Sequence, residues 1–232
     1  MKRGLFLLAT VTLSSALYAQ QTLTREAVSD LFTTYNPQLM TQAGQQPLLQ
    51  QWVEQVIDTY TGRQLPDTLE NRYTLIALVR NFENSILLDS ITKQYQRALL
   101  YARMGDDTVE ASARVFAQTV LPRIYARIWA VSVQVKEDLL ARYQQQKKQV
   151  AFQTALTPAQ RQELQAAYQR AITLLRADLK QLRTAPGRQV QALTAQTLAV
   201  AQAEIGAAVS SLQAQETSNL QVKTNHKKPV AE

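Results

Sequence analysis

Few residue types in this chain can carry chemistry. The one histidine is His226, near the C-terminal end, and cysteine is absent. A Ser-His-Asp triad, a Cys-His pair and a zinc site of ordinary ligands all need residues the sequence does not hold. The six glycines lack the spacing of a phosphate loop or a dinucleotide turn, so no cofactor and no metal is expected. Carboxylates remain, because a single Glu or an Asp/Glu pair can serve as general acid and base on a glycosidic bond. Glu83, followed by Asn84-Ser85 on a predicted helix, is the candidate acid for that chemistry. The Leu, Ile and Val around it read as packing, so the sequence favours a protein that is not an enzyme. A carboxylate-dependent enzyme cleaving cell-wall glycan is the alternative.

Two charged arrangements could instead bind a ligand. Arg123 and Arg127 share a helix face at i,i+4 spacing beside Tyr125 and Trp129, where an anion could lie across both guanidinium groups. Arg80 and Glu83 stand three apart beside the apolar stripe of Ile76 and Leu87, and read either as an ion pair at the core edge or as a polar pocket between helices. The chain carries 25 basic and 18 acidic residues for a formal charge of +7. That excess suits an acidic envelope surface or a protein partner. Nucleic acid is not expected, since the basic residues do not gather into one aromatic-studded patch.

The elements that must position these residues are helices. Apolar residues recur at helical spacing almost throughout, and strand alternation is nearly missing, so the fold class is all-α. The expected architecture is an elongated bundle of about six helices in antiparallel hairpins. Thr24 caps a first helix bearing Val28, Leu31, Phe32 and Tyr35, ended by Asn36-Pro37. A polar linker follows, and then a helix from Pro47 to Gly62 with Leu48, Leu49, Trp52, Val53, Val56, Ile57 and Tyr60. One long helix is predicted from about Asp67 to Arg103, stopped by Gly105. The next begins at Asp106 or Asp107, is kinked or broken at Pro122, and continues to the polar run Gln144–Gln149. Thr157-Pro158-Ala159-Gln160 predicts a capping box with proline at the first helical position. Thr184-Ala185-Pro186-Gly187 turns that helix into a last one with a narrow, alanine-rich stripe, Val190 to Leu212. The two form an antiparallel hairpin.

The first nineteen residues read as an export signal. Lys2 and Arg3 precede an apolar run through Leu5, Phe6, Leu7, Leu8, Val11 and Leu13, and a small residue, Ala19, stands at the expected cut. The chain is therefore expected in the periplasm or secreted. No later stretch reads as a transmembrane span, since charge interrupts each apolar run. Residues 20–214 are expected to form the helical domain, with a candidate sub-boundary near 151–157, and 215–232 a disordered basic tail.

Leu156-Thr157-Pro158-Ala159-Gln160 also resembles the Leu-Thr-x-x-Gln motif of the Spy and CpxP family of exported helical chaperones. That family carries the motif twice. The second candidate here, Leu193-Thr194-Ala195-Gln196, is followed by Thr197 where the family has Gln. The resemblance implies a cysteine-poor helical protein of the periplasm that binds other proteins. The residues themselves lead to the same class, a non-catalytic exported helical protein acting through protein or envelope surfaces.

Overall fold

The computed structural model describes residues 21–225; residues 1–19, read above as an export signal, and His226 lie outside them. The described residues form eight helices, two more than the pattern suggests: α1 (Arg25–Tyr35), α2 (Pro37–Ala43), α3 (Pro47–Gly62), α4 (Leu69–Arg80), α5 (Phe82–Arg103), α6 (Asp107–Val150), α7 (Pro158–Arg183) and α8 (Pro186–Asn225). The only extended pairing among them is an isolated bridge between Thr22 and Pro66. It ties the segment before α1 to the one before α4 and seats Leu23 in the core. No helix of the described residues is long and apolar enough to cross a membrane.

The chain divides into two compact units. The first contains the described residues up to Ser85 together with Arg127–Pro186; the second contains Ile86–Ala126 and the described residues from Gly187 onward. Segment 151–157 lies within the first unit, where it links α6 to α7.

In the first unit, α1 packs on α2, α3 and α4. Of the face the spacing predicts, Val28, Leu31 and Phe32 are buried and Tyr35 is half-buried, and the Thr24 hydroxyl caps the helix by accepting from the Ala27 amide. Phe32 meets Phe82 edge to face, with ring centroids 5.7 Å apart. Asn36 joins α1 to α2. Its side-chain oxygen caps α2 by accepting from the Leu39 amide, while its amide nitrogen donates to the Val79 carbonyl near the end of α4. Helix α2 occupies the stretch expected as a polar linker, since Leu39 and Ala43, one turn apart, are both buried. On α3 the buried stripe narrows to Val53 and Ile57, and Trp52 and Leu48 are exposed.

The helix predicted over 67–103 is broken at Asn81. Asn81 ends α4, its amide bonding back to Ala77 and Leu78, and its carbonyl starts α5 by accepting from the Ser85 amide. The residue is buried, with its side-chain amide 3.5 Å from the Ile128 carbonyl. Pro122 has the opposite outcome: it lies inside the single helix α6 rather than breaking it. A proline removes one N–H from the ladder, and here the buried stripe Ala117, Leu121 and Ile124 runs through it without interruption.

The second half of the first unit is the α6–α7 pair, with Val135, Tyr143, Val150, Ile172 and Leu179 buried. Helix α7 opens with the predicted capping box: the Thr157 hydroxyl accepts from the Gln160 amide, and the Gln160 side chain accepts from the Thr157 amide. The indole of Trp129 donates to the Leu182 carbonyl at 3.0 Å, and Lys136 pairs with Asp178. Tyr143 donates to the Glu70 carboxylate and packs on Tyr168. Burial, and then the hydrogen bond to Glu70, raise the Tyr143 phenol well above the ordinary tyrosine value of about 10. A folded-state value above the unfolded one contributes stability that is present below about pH 10 and lost as the pH rises beyond it. Tyr143→Phe is therefore expected to cost about 1 kcal/mol near neutral pH, with the gap to the parent narrowing above pH 10. Urea titrations across alkaline pH measure this, and a gap that stays constant would refute the assignment.

The second unit contains most of α5, the first part of α6 and α8. Gly105, at φ +101°, ends α5 in a left-handed turn. The Gly105 amide bonds to Ala102 and the Asp106 amide to Tyr101, the double closure that reverses a chain after a helix. The core is Ile91, Tyr95, Ala98, Leu99, Ala117, Leu121, Ile124, Val190 and Ala201. Helix α8 continues to Asn225, past Gln213 where the apolar stripe fades, so residues 215–225 are helical where the sequence suggested a tail.

Candidate functional site

The four residues singled out in the sequence do not converge on one site. Arg80 turns to Asp138 on α6, 3.2 Å away, and lies over the Tyr35 ring at 5.2 Å. Glu83 belongs to the next helix, because α4 ends at Asn81; it is exposed and forms no ion pair among the described residues. Arg80 thus binds α4 to α6 inside the first unit, and the break explains why the two residues do not pair. Arg123 and Arg127 are both exposed on α6, one in each unit. Their aromatic neighbours are engaged elsewhere: Tyr125 with the Thr197 hydroxyl, Trp129 with the Leu182 carbonyl.

No group of three or more His, Cys, Asp or Glu among the described residues is arranged to hold a metal ion. The Leu-Thr-x-x-Gln residues at 156–160 are occupied as a helix cap. In the second candidate, Thr194 and Thr197 sit within α8 and bond their hydroxyls back to Val190 and Leu193.

The feature with the chemistry of a binding site lies in the second unit, between α5 and α6. The hairpin closed at Gly105 sets Ile91, Gln94 and Tyr95 opposite Thr108, Val109, Ser112, Ala113 and Phe116, around a groove of about 520 Å³. Its walls carry no charged side chain. Ile91 and Tyr95 form a buried floor, while Val109 and Phe116 stand on the lip, 39% and 50% exposed. The Tyr95 hydroxyl accepts from Gln202 on α8 at 3.3 Å, which fixes the ring that makes the floor. The nearby charges on α6 are neutralised together, Arg114 pairing with Glu110 one turn away. Toward the turn, Leu100, Tyr101 and Met104 are exposed as well.

This arrangement suits a non-covalent apolar ligand: a desolvated floor, an aromatic lip and uncharged hydrogen-bonding groups at Gln94, Thr108 and Ser112. No Asp, Glu, His, Lys or Arg is among its lining residues. Val109, Ala113 and Phe116 recur at helical spacing in the sequence. The usable signal was an excess: this part of α6 has more apolar positions than one buried face, Ala117-Leu121-Ile124, accounts for.

No family model matches the chain, and searches of curated proteins and of solved structures find nothing similar to it.

Proposed function

We propose that this protein acts without catalysis, in an exported compartment, by holding apolar segments of non-native polypeptides in the α5–α6 groove. The observation that carries the reading is the uncharged groove of about 520 Å³ with Val109 and Phe116 exposed on its lip. An apolar segment gains from leaving water for such walls, at roughly 25 cal/mol per Å² buried. The lack of charge in the lining removes any demand for a fixed charge pattern in the partner, which suits many sequences rather than one. Lys2-Arg3, the Leu5–Leu13 run and Ala19 support the exported location.

The test is suppression of aggregation of a reduced, unfolded polypeptide by the chain and by two variants. Phe116→Asp places a charge on the groove lip and is expected to abolish protection. Phe152→Ser removes an aromatic ring that is 83% exposed in the α6–α7 connection and is expected to leave protection intact. Equal protection by Phe116→Asp and the parent, or none by the parent, would sink the proposal. Concentration-dependent sedimentation of the chain alone, lost in Phe116→Asp, would assign the groove to self-association and also overturn it.

A further inference from the structure

A second concavity, in the first unit and independent of the groove just described, has the opposite character. It lies between α6 and α7, has a volume of about 470 Å³, and is lined by Glu137, Leu140, Arg176, Leu179, Lys180, Arg183 and Thr184. Three of these seven side chains are cationic and one is anionic. Glu137 pairs with Arg183, which leaves Arg176 and Lys180, one helical turn apart, without an ion-pair partner among the described residues. Asp178, the one acidic residue on the same stretch of α7, is engaged by Lys136. Neither Asp178 nor Lys136 lines the concavity.

Helix-end electrostatics do not account for this much charge. Cations in a last turn offset a partial charge of about half an electron at the helix C-terminus. With Arg183 paired to Glu137, Lys180 is the free cation of the last turn, and setting that half charge against it still leaves more than one surplus positive charge on Arg176 and Lys180. Leu179, 4% exposed, and Leu140 supply an apolar surface beside them.

We infer that the α6–α7 concavity binds a phosphate monoester carrying an apolar substituent, the phosphate on Arg176 and Lys180 and the substituent against Leu140 and Leu179. A phosphate monoester carries between one and two negative charges near neutral pH, which matches the two free cations. Arginine presents a fork of N–H groups to phosphate oxygens, and lysine adds a mobile point charge. Glu137 holds Arg183 at the edge of the site and prevents a third free cation, which restricts the site to a single phosphate group. Such a ligand has two sources, a lipid headgroup or a free alkyl phosphate.

Calorimetric titration of the full chain with inorganic phosphate and with octyl phosphate tests the site. Octyl phosphate is expected to bind about tenfold tighter or better, a gain that burial of two or three methylenes is enough to give. The double variant Arg176→Ala/Lys180→Ala should lose that binding, and Lys180→Arg should keep it. Arg170→Ala/Lys148→Ala removes the same charge from exposed positions outside the concavity and should bind as the parent does. Flotation with phosphatidylcholine vesicles, with and without phosphatidic acid, separates the sources: acid-dependent flotation lost in Arg176→Ala/Lys180→Ala indicates the headgroup, and octyl phosphate binding without flotation indicates the free ester. The proposal fails if the two double variants bind alike, or if octyl phosphate binds no tighter than inorganic phosphate. Circular dichroism of each variant excludes loss of fold as the cause.

Discussion

Phe32→Ala is expected to lower the stability of the protein by about 3–5 kcal/mol, the range for deleting a fully buried aromatic ring. Phe32 has no exposed surface, and its ring meets Phe82 at 81° between planes. The edge-to-face contact contributes about 0.5–1.5 kcal/mol beyond the area buried. Phe82 is the first residue of α5, immediately after the break at Asn81, so the ring pair holds α1 against the point where the chain changes helix. A short side chain leaves a void at a junction of helix ends, where neighbouring backbone must move as a unit to fill it. Trp52→Ala provides the comparison. Trp52 is the larger residue, yet it is 44% exposed on α3, and its loss is expected to cost less than about 2 kcal/mol. Urea unfolding followed by circular dichroism measures both. A smaller loss for Phe32→Ala than for Trp52→Ala would contradict the packing described.

Asn36→Ala is expected to cost about 2–4 kcal/mol, large for a residue that contributes little apolar area. Two separate losses add. The cap on the Leu39 amide is worth about 1 kcal/mol, and withdrawing the donor from the Val79 carbonyl leaves a part-buried acceptor with one partner fewer, at about 1–3 kcal/mol. Asn36→Ser separates them, since a serine hydroxyl can cap α2 but does not reach the end of α4. Serine is expected to recover about 1 kcal/mol relative to alanine. If Ser and Ala destabilise equally, the cap contributes nothing and the account of this junction is wrong.

The fold class was legible because helical spacing is a long-range signal, repeated over many turns of each element. What sequence reading missed was set by single residues. Helix α2 is seven residues long and buries only Leu39 and Ala43, too short a run for a period to register. The break at Asn81 is invisible to spacing because apolar residues continue on both sides of it; the cause is a buried asparagine whose partner, the Ile128 carbonyl, is 47 residues away in sequence. At Pro122, where the sequence allows a kink or a break, the helix does not break, and its buried face packs continuously across the proline. The starts of α1 and α7 were readable for the converse reason: at Thr24 and at Thr157 to Gln160, donor and acceptor are neighbours in the chain and an apolar period follows.

The candidate sites show the same division. Arg80 with Glu83, and Arg123 with Arg127, stand out by spacing within a single predicted helix each, and their environments are decided by other elements: Asp138 takes Arg80, and the break removes Glu83 from its side. The α5–α6 groove could be anticipated only from an apolar surplus on α6. The α6–α7 concavity could not be anticipated, because Glu137 and Arg183 are 46 residues apart and no periodicity connects them.

The route of the chain between its two units has a consequence for how the molecule can be cut. The path enters the second unit inside α5, returns to the first inside α6, and leaves again at the start of α8. A protease that nicks the exposed turn at Met104–Asp106 produces two peptides, but each unit then contains material from both. Neither peptide carries a whole core, so the nick frees no domain, and fragments of this protein are poor stand-ins for the intact chain.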